Sequence, residues 1–226
     1  HLAPHLMDAQ LDREAARILQ RRVEQMGVRV STNATTTAVL GNGAVTGVSF
    51  ADGTTVMCDM LVVAAGIRPN VEIARAAGLD VNRGIVVGDD LACRPFPGIY
   101  AVGECAEHRG RLYGLVAPLW EQVRVLADRL SGRDPHAAYI GSRPSTKLKV
   151  AGIDLAVMGA RDPVDDGDEV VSYAEPSRGV YKKLIVRDNG LAGAIVLGDP
   201  DLVPSLIQAF AEGTPLADRR SDAILP

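Results

Sequence analysis

Met60-Leu61-Val62-Val63-Ala64-Ala65-Gly66-Ile67-Arg68-Pro69-Asn70 is the stretch on which the class of fold turns. Its first six residues are apolar without a break, which suits a strand covered on both faces, as in a parallel sheet between helices. Gly66 ends the run, Arg68-Pro69-Asn70 breaks the chain, and residues 71–77 form a short helix closed by Gly78. A strand ending in glycine lets a ligand approach the backbone at the carboxyl edge of a sheet, where open α/β sheets bind ligands. A tight turn that needs Gly and Pro accounts for the same residues equally well.

Upstream, residues 8–26 read as a helix, with Leu11, Ala15, Ile18, Leu19, Val23 and Met26 in one apolar stripe, Asp8 at its start and Gly27 at its end. Val28-Arg29-Val30 then reads as a short strand, so helix and strand form the second half of a βαβ unit whose first strand lies at or before His1. Residues 36–40, 45–50 and 54–58 are β-prone runs separated by Gly41-Asn42-Gly43 and Asp52-Gly53, which are hairpin turn signals. Downstream, strands are expected over 85–87 and 99–102, and a helix over 118–130. From about residue 142 the chain is strand-rich, over 147–153, 155–158, 170–173, 180–187 and 191–197, and it closes with a helix over 202–211. This order predicts an α/β part followed by a separate small α+β domain.

Composition excludes several classes. The 226 residues carry 24 Lys+Arg against 28 Asp+Glu, a net charge of −4 that disfavours a nucleic-acid or anionic-membrane partner. Three scattered cysteines make neither a disulfide framework nor a metal site. No apolar run approaches the about 20 residues of a membrane span. The reducing cytoplasm is therefore the expected compartment. The opening His1-Leu2-Ala3-Pro4, without Met or a leading strand, reads as part of something longer.

Two further motifs carry candidate chemistry. In Pro97-Gly98-Ile99-Tyr100-Ala101-Val102-Gly103-Glu104-Cys105-Ala106 a hydrophobic strand runs into glycine and an acid follows at once. A carboxylate held there can accept paired hydrogen bonds from ribose- or ribityl-type hydroxyls; an exposed loop acid is the alternative. Gly114-Leu115-Val116-Ala117-Pro118-Leu119 opens the second long helix, whose free N–H groups suit an anion or a polarised carbonyl. Cys105, with no CxxC partner, reads as structural, His108 as a solvated loop residue, Trp120 as a core or interface anchor, and the acidic run from Asp162 to Glu169 as a solvated loop.

In this order the three motifs resemble the FAD-dependent NAD(P)H oxidoreductases of the pyridine nucleotide-disulfide reductase superfamily. Ala3-Pro4-His5-Leu6-Met7, Val102-Gly103-Glu104-Cys105-Ala106-Glu107-His108-Arg109-Gly110, Tyr113-Gly114-Leu115-Val116-Ala117-Pro118 and Ser145-Thr146-Lys147-Leu148-Lys149-Val150-Ala151-Gly152 are most similar to its nitrite reductase branch. The resemblance implies a partial Rossmann-like FAD/NAD(P)-binding region followed by the small α+β domain. Residues 1–70 would be the C-terminal part of the NAD(P)-binding domain, 71–141 the returning part of the FAD-binding domain, and 142–226 an interface or dimerisation domain. It also implies that Gly103 and Glu104, with Ala117, Pro118 and Leu119, bind FAD, and that Gly66 and His1 lie against NAD(P)H. No catalytic acid or base and no metal ligand is implied within the chain. Iron–sulfur and siroheme centres are expected only in a full-length enzyme, as downstream partners, with a homodimer as a further option. A stand-alone rubredoxin or ferredoxin reductase and a non-catalytic docking fragment are the alternatives.

The sequence departs from the family pattern: Glu104 stands where most relatives carry Asp, and Cys-rich segments for an iron–sulfur cluster and siroheme are absent from it. Neither expected GxGxxG fingerprint is present, because Gly41-Asn42-Gly43 joins two β runs and opens no helix. The 226 residues alone are accordingly expected to bind FAD weakly or not at all; protein purified with stoichiometric yellow flavin would refute this.

Overall fold

The structure, a computed structural model, describes residues 1–143, 145–150, 152–213, 215 and 224. Ala151 and the side chains of Lys149 and Val150, within the stretch likened above, lie outside the described residues. In chain order the elements are α1 (Arg13–Gln25), β1 (Thr36–Gly41), β2 (Val45–Phe50), β3 (Thr55–Met57), α2 (Glu72–Ala76), β4 (Ile85–Val87), β5 (Ala106–His108) and β6 (Arg111–Leu112). There follow α3 (Val116–Leu130), β7 (Ser145–Val150), β8 (Ile153–Gly159), β9 (Glu169–Glu175), β10 (Val180–Arg187), β11 (Gly190–Leu197) and α4 (Val203–Glu212). The chain divides into two compact units, His1–Val63 with Ser145–Pro226, and Ala64–Pro144.

The first unit is built on an antiparallel sheet in the order β7-β8-β11-β10-β9. Its central strands are apolar at nearly every position because helices cover both faces. Leu155, Val157, Ile195 and Leu197 point to α1, where they meet Leu11, Ala15, Ile18 and Leu19. The alternate residues Ala156, Met158, Ala194 and Val196 point to α4, where they meet Val203, Leu206 and Phe210. The tight β10–β11 hairpin pairs Arg187 with Gly190, and both intervening residues, Asp188 and Asn189, take positive φ, the turn that Asp-Asn-Gly favours. A second sheet, β1-β2-β3, is an antiparallel meander whose turns fall at the expected Gly-Asn-Gly and Asp-Gly sites.

Asp12 fastens α1 to the sheet. One carboxylate oxygen accepts the Ala15 N–H at 2.9 Å and caps the helix, in place of the expected Asp8. The other accepts from the Tyr181 hydroxyl at 2.7 Å and from Lys183 Nζ at 2.9 Å. Burial pushes the Asp12 carboxyl up, but the bonds from Ala15, Tyr181 and Lys183 outweigh it and hold the group below its ordinary value. Lys182, one residue along β10, points to the opposite face and pairs with Asp199 at 2.6 Å. Asp168, expected in a solvated loop, is half-buried, with its side chain covered. It takes a forked pair of bonds from Arg187 at 2.7 and 2.9 Å and accepts the Val164 N–H at 2.8 Å.

Two expected strands do not form. Residues 60–66 have no regular structure, and Met60, Val62 and Val63 are more than three-quarters exposed. No described strand pairs with this run, so its backbone groups turn to solvent. Val28-Arg29-Val30 is likewise irregular, so α1 belongs to no βαβ unit within the described residues and covers an antiparallel sheet.

The second unit has a small sheet in the order β4-β5-β6, with β4 and β5 parallel. β5 and β6 were not foreseen. The expected strand at 99–102 is reduced to a bridge between Ala92 and Tyr100, although Ala101 N–H still donates to the Leu91 carbonyl at 3.1 Å. Val87, Leu91, Cys93, Ala101, Ala106, Tyr113 and Tyr139 form the core, against which Leu119, Val125 and Leu126 of α3 pack. Trp120, expected as a core or interface anchor, is 64% exposed and so is no part of this core.

Asp12→Ala removes the helix cap and strips Lys183 of its nearest partner, so the free energy of unfolding should fall by about 2–4 kcal/mol. Because the folded Asp12 is depressed, its contribution is present above the ordinary carboxylate value of 3.8 and is lost as pH falls through the folded value. Urea unfolding measured from neutral pH into acid should therefore show a shallower acid loss in Asp12→Ala than in the parent; parallel curves would refute this role.

Candidate functional site

The site is built where the chain leaves Ala101 and turns toward β5. Gly103 takes φ +106°, a conformation that side-chain-bearing residues rarely adopt, and an added Cβ would meet nothing within 4 Å. Glycine is thus required by backbone rotation, and the space in front of it is open. The Gly103 N–H donates to Gln122 Oε1 at 2.8 Å, and Gln122 is wholly buried on α3. Glu104 follows on the exposed side of the turn and makes no hydrogen bond or ion pair among the described residues. Glu107 anchors the far end of the turn. It is buried, its two oxygens accept from Gly84 N–H at 2.8 Å and Asn82 Nδ2 at 2.9 Å, and these bonds outweigh the upward push of burial to leave the carboxyl below its ordinary value.

Helix α3 begins at Val116, two residues before the expected start, with no side-chain cap at Leu115 and no acid in its first turn. The Leu115, Val116 and Ala117 N–H groups occupy the helix positions that lack an intrahelical acceptor. Pro118 has no N–H and is buried, while Leu119 is half-buried, at the position whose N–H turns back to the Leu115 carbonyl. The Gly103–Gln122 bond ties the glycine–acid turn to this helix. Gly66 takes φ +82° in the exposed irregular run, again with open space around it, and no bond among the described residues ties it to Gly103. His1 belongs to the other unit, with its terminal ammonium on the Ser31 carbonyl at 2.8 Å and its imidazole 3.5 Å from Asp8.

A second cluster was missed from sequence. Asp89 accepts from His108 Nε2 at 2.8 Å and from the Arg109 fork at 2.9 and 2.6 Å, while its carbonyl takes the Tyr139 N–H at 2.8 Å. The Arg109 guanidinium, with help from His108, holds the Asp89 carboxyl down at about 2. His108, expected in a solvated loop, is 1% exposed and stacks obliquely on Tyr139 at 4.8 Å. Ser142 Oγ donates to Glu121 at 2.5 Å, so the Tyr139 hydroxyl, 2.6 Å away, is the donor to Ser142. Burial pushes the Tyr139 phenol up to about 12. Cys93 is a core residue, and the Cys105 thiol lies 3.7 Å from the Val102 carbonyl. Among the described residues no three His, Cys, Asp or Glu side chains gather as metal ligands, and no helix is long and apolar enough to cross a membrane.

Parallel β4–β5 pairing is the α/β feature of this unit, and the glycine at positive φ before an exposed acid is tied to an uncapped helix start beside it. Residues 1–124 match the pyridine nucleotide-disulphide oxidoreductase family and residues 144–214 match the rubredoxin NAD+ reductase C-terminal domain. The chain belongs to this oxidoreductase family, whose cofactors are FAD and NAD(P)H. It is 43% identical over 199 residues to a nitrite reductase [NAD(P)H] of Bacillus subtilis (strain 168), covering 88% of this chain and 24% of that protein. It is 44% identical, also over 199 residues, to the assimilatory nitrate reductase electron transfer subunit of the same organism, covering 88% and 25%. Among solved structures, a ferredoxin reductase from Rhodopseudomonas palustris superposes with a TM-score of 0.72 at 30% identity, covering 87% of this chain and 49% of that one. The chain thus spans about a quarter of the length of these two curated relatives.

The residues present fit a flavin at this place: the Gly103 backbone faces open space, the Glu104 carboxylate has no partner among the described residues, and the first N–H groups of α3 lack helical acceptors. Gln122→Leu removes the acceptor that holds the turn and leaves the Gly103 N–H unpaired. The variant should lose about 1–3 kcal/mol of stability, with faster amide hydrogen exchange at Gly103 than in the parent. Unchanged exchange at Gly103 would refute the positioning role.

Proposed function

We propose that this chain is the flavin-side, electron-accepting part of an NAD(P)H-dependent nitrite reductase, and that the Gly103-Glu104 turn is its centre. The observation that carries the reading is the unpartnered Glu104 carboxylate at the end of a glycine turn held open by Gln122. Residues 1–70 take the tail of the NAD(P)-binding domain, 71–141 the returning part of the FAD-binding domain, and 142–226 the interface domain. The exposed run 60–65 becomes a strand only beside a partner from outside the described residues.

Glu104 accepts hydrogen bonds from the ribityl hydroxyls, and Gly103 permits the approach. The start of α3, at Ala117, Pro118 and Leu119, faces the pyrimidine edge of the flavin ring, where the positive end of the helix favours the charge of the reduced form. Gly66 lies against the nicotinamide nucleotide and His1 near the adenosine ribose. Bound FAD supplies two-electron acceptance from NAD(P)H and one-electron release toward iron–sulfur and siroheme centres of the longer protein. No side chain of this chain acts as acid or base. The setting is cytoplasmic, and residues 142–226 serve a homodimer. A second reading, an NAD(P)H reductase of a rubredoxin- or ferredoxin-type carrier, is supported by the match of residues 144–214 to the rubredoxin reductase C-terminal domain.

The test joins this chain to the upstream flavin-binding segment of its relatives and follows flavin absorbance during NADH and NADPH titration. Glu104→Ala should weaken FAD binding by about 10- to 100-fold, the loss of charge-assisted bonds, with the protein still folded. Unaltered FAD affinity would refute the assignment. Nitrite-linked turnover in the full-length enzyme supports the first reading, and turnover with a rubredoxin alone supports the second.

A further inference from the structure

Helix α3 has two apolar faces, where a helix on the surface of a domain needs only one. Leu119, Val125 and Leu126 pack on the core of the second unit, and Pro118 and Gln122 are buried on the same side. Val116, Trp120, Val123, Ala127 and Leu130 lie on another face and are all exposed, Val116, Trp120 and Leu130 by more than three-fifths. Their alternating four- and three-residue steps make the kind of seam by which one helix packs on another. One Trp and four aliphatic side chains present roughly 400 Å² of apolar surface, a size that on a monomer marks an interaction site. Glu121 and Asp128 beside the seam, with a net charge of −4, disfavour an anionic membrane as its cover.

The seam is close to symmetric about Val123: Val116 and Leu130 stand seven residues away on either side, Trp120 three and Ala127 four. A second copy of the helix, reversed about a two-fold axis at Val123, therefore matches it layer by layer. Val116 of each copy meets Leu130 of the other, the large Trp120 fills the space left by the small Ala127, and the two Val123 side chains meet on the axis. Glu121, Arg124 and Asp128 follow one another along one edge of the seam. In the reversed pair each Arg124 comes level with Glu121 of the other copy to within about 3 Å along the helix, at about 1.5 Å per residue, and so has an acid to pair with. Two such faces together bury roughly 800 Å² of apolar surface, and with their polar edges they reach about the 1,200 Å² at which specific interfaces begin. We propose that this face is an interface between two copies of the chain, α3 packed on α3 in antiparallel register about Val123. The inference does not rest on the flavin reading, and it differs from a dimer through residues 142–226 because none of those residues takes part.

Trp120 is the one tryptophan of the chain, so its emission reports on the interface directly. Sedimentation equilibrium of the 226-residue chain should show a reversible monomer–dimer balance with a dissociation constant of about 1–100 μM, and Trp120 emission should shift to the blue over the same range. Val123→Glu sets two like charges on the axis and should weaken the dimer at least about tenfold, as should Trp120→Ala followed by sedimentation alone. Both positions are exposed, so circular dichroism should match the parent. With Cys58→Ser and Cys105→Ser in the background, oxidised Val123→Cys should give a dimer linked through position 123, while Val116→Cys, far from the axis, should not link to itself. A dimer indifferent to Val123→Glu and Trp120→Ala, as pairing through residues 142–226 would give, overturns the proposal. So does a chain that stays monomeric at about 200 μM. A monomer whose Trp120 emission shifts only on addition of the upstream flavin-binding segment of its relatives also overturns it, and assigns the face to that segment.

Discussion

The Gly103 N–H points inward, and the rest of the candidate site depends on where it finds its acceptor. Gln122 supplies that acceptor from a position with no solvent exposure, one helical turn beyond Pro118. A buried amide is an unusual residue for a core-facing helix position, because its polar atoms must be matched or their desolvation is uncompensated. Here Oε1 takes the Gly103 N–H, while the buried Nε2 has no hydrogen-bond partner among the described residues. The glycine–acid turn is held to α3 by a partly buried bond, whose acceptor side is withdrawn from solvent. The turn can then carry an exposed acid without relying on that acid for its shape. Glu107, buried at the other end, does the same from below through Gly84 and Asn82.

Covering decides which apolar runs become strands. Residues 60–65 and 191–197 look alike in sequence, both nearly continuous and apolar. In 191–197 alternate residues meet α1 on one face and α4 on the other, and β8 and β10 satisfy the backbone. The run at 60–65 has neither covers nor partners among the described residues, and its side chains are exposed. Hydrophobic pattern reports what a segment needs, while pairing depends on segments far away in the chain. For that reason the α/β class and the hairpins, whose turns are local, were legible. The placement of α1, which depends on Tyr181 and Lys183 more than 160 residues onward, was not.

The same division separates the legible part of the site from the hidden part. Gly103 and Glu104 stand together in sequence after an apolar run, so their chemistry is local. His108 and Asp89 lie 19 residues apart and meet only because β4 and β5 pair in parallel, a contact that no short-range pattern signals. Gln122 left a faint signal: it falls on the same helical face as Pro118 and Leu119, where a polar residue needs an explanation. Trp120 carried two readings, core or interface anchor, and its 64% exposure on α3 removes the first.

The carboxylates of the second unit sort by what they have already been given. Asp89 is saturated by a histidine and an arginine fork, Glu107 by two donors from one turn, and Glu121 by a serine hydroxyl. Each holds one piece of backbone to another, and each would be a poor ligand for anything else. Glu104 has none of these partners among the described residues, although it follows the glycine that Gln122 holds. A rigid backbone that presents an unspent carboxylate does not gain stability from it. The residue makes physical sense as an acceptor for donors that come from outside the chain, and hydroxyl groups of a bound cofactor are donors of that kind.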